Sequence, residues 1–356
     1  MNDLRKIRIL IDKLDKRIIK SLNERGKLAQ KIKKAKSLSD NKKIFRPERE
    51  AQILRSLANS NEGPLTDDNL RSIFREIISS CLSLEKKLKV CCLGPQESYS
   101  SIALTKFFGS SVDIGYHSSI NSIFNDVNHD NVEFGVVPVE NSNQGSIKLT
   151  IDHLIKEDIK ICGEVNLTIK HCLLSNTKAL SNIKKIYAHE QTFLQCNEWL
   201  LKNLPDVKRI FISSNSAAVK RISKLANAAA IASESCSSIY KIPILKANIH
   251  DVVDNVTRFI VIGNHSIDRS GVDKTSILVS VKNKAGALKS LLESLSNNKI
   301  SMTKIESIPT KINNWEYMFL LDINGHIDDK NVSIALKDIK KKSIFYKDLG
   351  SYPKSV

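Results

Sequence analysis

The sequence predicts a multidomain chain: an all-α N-terminal region, a two-lobed α/β middle and an α+β, ferredoxin-like C-terminal module. Three observations carry this. Residues 1–89 place apolar side chains at three- and four-residue spacings, with no Gly before Gly26 and no Pro before Pro47. From residue 90 short apolar runs alternate with helical patterns. The last 80 or so residues read strand, helix, strand, strand, helix, strand. At 356 residues and 41% hydrophobic, the chain has room for two or three domains with buried cores.

In the first region, Ile7, Ile11, Leu14, Ile18, Leu22, Leu28, Ile32 and Ala35 make one stripe, which predicts a single helix of more than about 30 residues. Pro47 stands where a second helix begins, at a first-turn position that tolerates it. Gly63-Pro64 breaks that helix. Thr66, with Asp67 and Asp68 behind it, caps a third. Leu70, Ile73, Phe74, Ile77, Ile78, Cys81 and Leu82 form the buried face of the third. Two short helices cannot cover so long a stripe, so the first helix is expected to pair with a second copy of the chain.

The middle region begins with KVCCLG, a strand running into a Gly-Pro turn. FGVVPVENS is a strand followed by the helical DHLIKED. IKKIYAH then QTFLQCNEWLLKNL, RIFISS then SAAVKRISKLA, and AAAIAS then ESCSSIY each read strand then helix. Such alternation places ligand sites at the C-terminal ends of strands. GNHSIDRSGVDKTS (263–276) reads as a polar linker. The final module then runs TSILVSVKN, AGALKSLLESLSNN, ISMTKIESIP, WEYMFLLDIN, VSIALKDIKKK and IFYKDLGSYP, with Trp315 and Phe319 expected in its core.

Lys and Arg number 55 against 38 acids, and residues 1–89 alone carry +11 of the net +17. Such a region suits nucleic acid or a small polyanion equally well. No run approaches the roughly 18 apolar residues of a membrane span, and the charged N-terminus is no secretory signal. Seven cysteines without CxxC spacing fit reduced thiols rather than a zinc site.

Arg25 and Lys36 lie eleven residues apart, three helical turns, and so share a face. Arg25 interrupts the apolar stripe, where a cation calls for an anion. Arg8 lies 17 residues before Arg25, about 25 Å along the axis. It can join an Arg25 site only from another chain. Arg49-Glu50, opening the second helix, and Glu85, four residues after Cys81, complete a candidate oxyanion site.

LDKRIIKSLNERGKLAQKIKKAK, FRPEREAQIL and FREIISSCLSLE resemble the helical chorismate mutase family. PVENSNQG, AHEQTFLQC, AAIAS and NVTRF resemble the prephenate dehydratases. GAL, IESIP, WEYMFLLDI and LGSYP resemble their ACT-type regulatory domain. In this order they resemble the bifunctional chorismate mutase/prephenate dehydratase family over nearly the whole chain. The resemblance implies a helical mutase domain at 1–89, a two-lobed, periplasmic-binding-protein-like dehydratase domain at 90–265 and an ACT domain at 275–356. It implies a cytoplasmic homodimer acting on chorismate and prephenate and sensing L-phenylalanine, with no cofactor, metal, nucleic acid or membrane. The competing readings are a ligand-sensing DNA-binding regulator, and an enzyme with only one activity intact.

Carried over, the mutase site uses Arg25, Lys36, Arg49, Glu50 and Cys81 of one chain and Arg8 of another. Lys36 is expected to donate to the ether oxygen. Glu85 stands where a Gln is usual and is expected to be protonated so that it too can donate. Cys81 replaces a frequent Ser, and Arg46 a frequent Asp. In the dehydratase, Thr257 is the implied proton donor, with Glu140, Asn141 and Gln191 as polar neighbours and Gln195 a further candidate. Arg258 is expected to offset substrate carboxylate charge, and Ser213, Ser214, Asn215 and Ser216 to form a binding turn. His189 reads as a satisfied hydrogen-bonder, and His250, Asp251 and Asp254 as no metal site. Glu97 stands where a Gly is usual and Glu190 where a Pro is usual. Phenylalanine is expected at Gly286, Ala287, Leu288, Glu306 and Ser307. Ile308 replaces the usual Arg of that stretch, which implies weakened feedback.

Overall fold

The structure, a computed structural model, describes residues 2–37, 45–252, 254–282, 284–309 and 317–356. The first helix, α1 (Asn2–Ser37), is unbroken. α2 (Pro47–Asn59) opens on its proline. α3 (Asp67–Ser83) is capped by Thr66, whose hydroxyl oxygen accepts from the Asn69 N–H at 3.2 Å. Ala29, Ala51, Leu54, Ile78 and Cys81 bury where the three meet. Toward the N-terminus of α1, Leu4, Ile7, Ile11, Leu14 and Ile18 stay about half exposed, so the expected uncovered stripe is present.

The middle region is two lobes. The first contains β1 (Lys89–Leu93), α4 (Tyr99–Phe108), β2 (Asp113–His117), α5 (Ile120–Asn128), β3 (Phe134–Asn141), β4 (Gly145–Ser146), α6 (Lys148–Lys156) and β5 (Lys160–Thr168). The second contains β6 (Cys172–Ser175), β7 (Lys185–Ala188), α7 (Glu190–Gln195), α8 (Asn197–Asn203), β8 (Lys208–Phe211), α9 (Asn215–Ile222), β9 (Ala228–Ala232), α10 (Glu234–Tyr240) and β10 (Ile244–Lys246). The chain then returns to the first lobe as β11 (Val256–Gly263), giving sheets of order β2-β1-β3-β11-β5 and β10-β6-β9-β7-β8. The two connecting segments run side by side: Ile169 N–H donates to Asn255 O, and Ile249 N–H to His171 O, both at 2.8 Å. The expected single helix over QTFLQCNEWLLKNL is broken at Cys196. The Asp251 carboxylate accepts from the Glu198 and Trp199 N–H groups at 3.0 Å and caps a new start.

The last module is β12 (Asp273–Ser280), α11 (Ala287–Asn297), β13 (Met302–Pro309), β14 (Tyr317–Asn324), α12 (Lys330–Lys342) and β15 (Phe345–Pro353). Its antiparallel sheet has the order β13-β14-β12-β15. Phe319 packs against its core; Trp315 lies outside the described residues. One apolar cluster runs from Ile161, Val137 and Ile260 of the first lobe into Leu278, Leu320, Leu349 and Tyr352 of the module. Gly350 makes that approach possible. It sits at φ +121°, and a Cβ there would lie 2.6 Å from the Ile161 carbonyl oxygen. The polar linker is shorter than expected and is held down. Arg55 donates to Ser270 O (3.2 Å) and Val272 O (2.9 Å), and Arg46 pairs with Asp268 at 2.8 Å. Phe45 packs on Phe107, Phe108 and Phe134, tying the helical region to the first lobe. Among the described residues, no helix is long and apolar enough to cross a membrane.

Candidate active sites

Two cavities gather most of the residues singled out in the sequence. The first, of about 400 Å³, lies between the C-terminal part of α1 and helices α2 and α3. Arg25, Lys36, Arg46, Arg49, Glu50, Cys81 and Glu85 line it, among apolar residues such as Leu28, Ile32 and Ile78. Arg25 is fixed by donating to Ile77 O at 3.3 Å. Arg8 is exposed on the far half of α1 and does not line the cavity. Glu85, expected to donate to the ether oxygen, accepts from the Lys36 ammonium through Oε2 at 3.2 Å. Burial pushes the Glu50 carboxyl up to about 8, against the opposing pull of Arg75 and Arg25. Glu50 Oε1 is buried with no hydrogen-bond partner among the described residues.

The second cavity, of about 510 Å³, fills the cleft between the lobes. Its walls are the C-terminal ends of β1, β3, β7, β8 and β9 and the start of β11, as the alternating sequence predicts. Thr257, Asn141, Gln191, Ser214, Ser213, Asn215, Ser216, His189 and Gln195 all line it. The buried Asn141 amide donates to Asn255 Oδ1 and to Thr257 Oγ1, both at 2.8 Å, and its own oxygen accepts from the Asn143 N–H. Both Asn141 amide hydrogens are thereby used. Among the described residues the Thr257 hydroxyl hydrogen has no protein acceptor. Gln191 donates to Gln144 across the cleft. His189 caps α7, its Nδ1 accepting from the Gln191 N–H at 3.3 Å, in keeping with a satisfied hydrogen-bonder.

Among the described residues, no Lys or Arg lines this cleft. The start of α4, capped by Ser98, and the start of α9, capped by Ser214, face it from opposite lobes and bring the positive ends of two helix dipoles. Glu97 lies at the rim with φ +72°, the left-handed region that favours glycine, which accounts for the Gly usual there. Glu190 occupies the first position of α7, where a proline is well tolerated and a carboxylate suits the dipole.

Two expected contacts are overturned. Arg258 and Glu140 do not line the cleft. Thr257 pairs with Asn141, and Arg258 with Glu140, in the β3–β11 ladder; side chains alternate along strands, so the second pair faces the opposite side. There Arg258 donates to Glu164 (2.9 Å), Asp322 (2.6 Å) and the Tyr352 hydroxyl (2.8 Å). Burial opposes its charge, but Tyr352, Asp322 and Glu164 outweigh that. Glu140 pairs with Lys304 at 2.8 Å. These side chains join the C-terminal module to the first lobe.

Glu306, Ser307 and Ile308 line a third gap of about 410 Å³, between β13 and α6, together with Ile151, Ile155 and Met318. Glu306 accepts from Ser146 and pairs with Lys304 at 3.1 Å. Gly286, Ala287 and Leu288, at the start of α11, do not line that gap. His250 Nδ1 accepts from the His171 N–H, and Asp251 is taken up by α8. Among the described residues, no group of three or more His, Cys, Asp or Glu is arranged to hold a metal ion. Sequence reasoning missed Tyr99, His171, Ser98 and Gln144 in the cleft. The Ser98 cap, three residues ahead of Ser101, and the place of Gln144 inside PVENSNQG were local signals for two of them.

A chorismate mutase type II family model matches residues 7–86, and a prephenate dehydratase family model matches residues 90–267. The bifunctional chorismate mutase/prephenate dehydratase of Pseudomonas aeruginosa is 41% identical over 360 residues, spanning 100% of this chain and 99% of its own. That of Escherichia coli (strain K12) is 32% identical over 375 residues, spanning 99% and 96%. Among solved structures, the prephenate dehydratase of Arthrobacter aurescens in complex with L-Phe matches with a TM-score of 0.67 and 28% identity. That match covers 75% of this chain and 90% of that one.

Proposed function

Because the chain belongs to the bifunctional chorismate mutase/prephenate dehydratase family, we propose that the helical cavity carries the first of its two reactions and the cleft the second. The protein is an enzyme of phenylalanine biosynthesis. It rearranges chorismate to prephenate and turns prephenate into phenylpyruvate. We divide the chain into mutase (1–89), dehydratase (90–265) and ACT (275–356) units.

Chorismate carries two carboxylates and rearranges without nucleophile or proton transfer. The site must hold it folded and stabilise charge growing on the ether oxygen. Arg25 and Arg49 offer bidentate recognition of the carboxylates. Arg8 reaches the site from a second copy whose α1 covers the exposed stripe. Lys36, steadied by Glu85, faces the ether oxygen. Glu50, neutral for much of the range below about pH 8, turns its unpartnered Oε1 edge to the substrate.

Prephenate loses its ring carboxylate as CO2 and its hydroxyl, with one added proton, as water; the electrons of the broken C–C bond aromatise the ring. Hydroxide leaves poorly, so that proton must be delivered. One observation carries the assignment to Thr257: Asn141 donates into its oxygen, which leaves the O–H to a ligand. With no Lys or Arg among the described residues of the cleft wall, the helix starts at Ser98 and Ser214 supply the electrostatic attraction for the dianion. The remaining assignments follow the family. L-phenylalanine is the effector, sensed through Gly286, Ala287, Leu288, Glu306 and Ser307, with coupling weakened by Ile308. The working form is a cytoplasmic homodimer; seven buried free thiols suit a reducing compartment.

Incubation of the purified chain with chorismate tests the reading, following prephenate and phenylpyruvate separately. Both should form, prephenate first. Conversion of chorismate without conversion of added prephenate would remove the second assignment. Mixing Arg8→Ala and Arg25→Ala chains should restore part of the mutase activity, and none after verified subunit exchange would remove the shared site.

A further inference from the structure

His171 lies where the chain leaves the first lobe. It is 1% exposed and lines the cleft. Its backbone is tied to the segment that returns to the first lobe: its carbonyl accepts from Ile249 N–H, and its N–H donates to His250 Nδ1. Its ring reaches into both lobes. Nδ1 stands 3.3 Å from the hydroxyl of Tyr99, the first residue of α4. Nε2 stands 2.6 Å from Oε1 of Gln195, the last residue of α7. The Tyr99 hydroxyl gives its hydrogen to Lys170 O at 2.6 Å.

Burial pushes the imidazole down to about 4, so at neutral pH it carries one N–H. The short contact is to an oxygen that can only accept, which assigns that hydrogen to Nε2. Gln195 Oε1 is then committed to His171. Its amide NH2 has no protein partner among the described residues and belongs to the cleft wall. That matters in a cleft whose described wall residues include no Lys or Arg.

We propose that His171 is a positioning residue of the dehydratase: it holds Gln195 so that the amide presents two N–H donors to a carboxylate of prephenate, bridging the lobes at their crossing point as it does so. The inference rests on the cleft being the dehydratase site.

Kinetics of the full-length chain on prephenate test it, with chorismate mutase activity as the folding control, because that site lies in the helical region. His171→Leu removes the donor. His171→Gln restores an amide N–H at the reach of Nε2. Gln195→Glu keeps the shape and removes both cleft donors. His171→Leu and Gln195→Glu should each raise KM for prephenate about tenfold or more with kcat changed less than about threefold, while His171→Gln recovers most of the loss. The double variant His171→Leu/Gln195→Glu should be no worse than the worse single. If His171→Leu does not fold, the contrast between His171→Gln and Gln195→Glu decides. Wild-type KM in Gln195→Glu, equal impairment in both His171 variants, or multiplying losses in the double variant would each overturn the proposal. A wild-type chain inactive on prephenate would instead overturn the cleft assignment, and this inference with it.

Discussion

Arg258→Gln separates the contact expected of that residue from the one it makes. Arg258 is mostly buried between Glu164 and Asp322, whose side chains are each 3% exposed. The substitution keeps a polar side chain but removes the charge. Glu164 retains Lys274 at 2.7 Å. Among the described residues, Asp322 retains the hydrogen bond from Ser276 Oγ at 2.6 Å and no cation. The unmatched charge is therefore at Asp322, in the seam between the C-terminal module and the first lobe. Removing one partner of a buried pair costs about 3–5 kcal/mol. For a cooperative unit spanning the middle region and the module, that is roughly 5–9 °C in Tm. Calorimetry should show the fall. Asp322→Asn, added to Arg258→Gln, should recover several degrees, because the stranded carboxylate is gone. A variant melting within about 1 °C of wild type but with a much raised KM for prephenate would refute this account and return Arg258 to the substrate.

Thr257→Val keeps the shape but leaves an Asn141 hydrogen unmet. It should cut dehydratase turnover by about two orders of magnitude or more while mutase activity holds, and equal loss of both would point to misfolding. Glu50 should make stability pH-dependent. Its native carboxyl, raised to about 8, keeps a proton that the unfolded chain releases near 4.5, so stability should decline between those values and level off above them. Urea midpoints at pH 5 and pH 8 should show a loss of a few kcal/mol that Glu50→Gln abolishes; a slope unchanged in that variant would assign it elsewhere. Glu97→Gly releases a left-handed residue worth roughly 1–2 kcal/mol, partly offset by the greater freedom of unfolded glycine. It also takes a carboxylate from the rim of a dianion site. Tm should rise by a degree or so and KM for prephenate should fall severalfold; a higher KM would speak against repulsion at that position.

Much of the fold was legible in the residues because it depends on near neighbours. Helical spacing from Ile7 to Ala35, the Pro47 start and the Thr66 cap set out the helical region. Strand–helix alternation placed the cleft at strand ends, and the family resemblance put Thr257, Asn141 and Ser214 in it. The long apolar stripe of α1 likewise showed itself as periodicity. Other features needed the assembled chain. Alternation says that Thr257 and Arg258 face opposite ways, but not which face meets the cleft and which the C-terminal module. That depends on β12, β14 and β15, up to about a hundred residues further along, packing against one side. Glu50 was legible as a site residue, but its raised titration follows only once the surrounding helices remove it from water. His171 acquires its role from Tyr99 and Gln195, which approach from different lobes. Local spacing determines which backbone forms and which side chains share a face. Burial and partnership are set by contacts between distant segments, and those decide the charge, direction and task of each polar group.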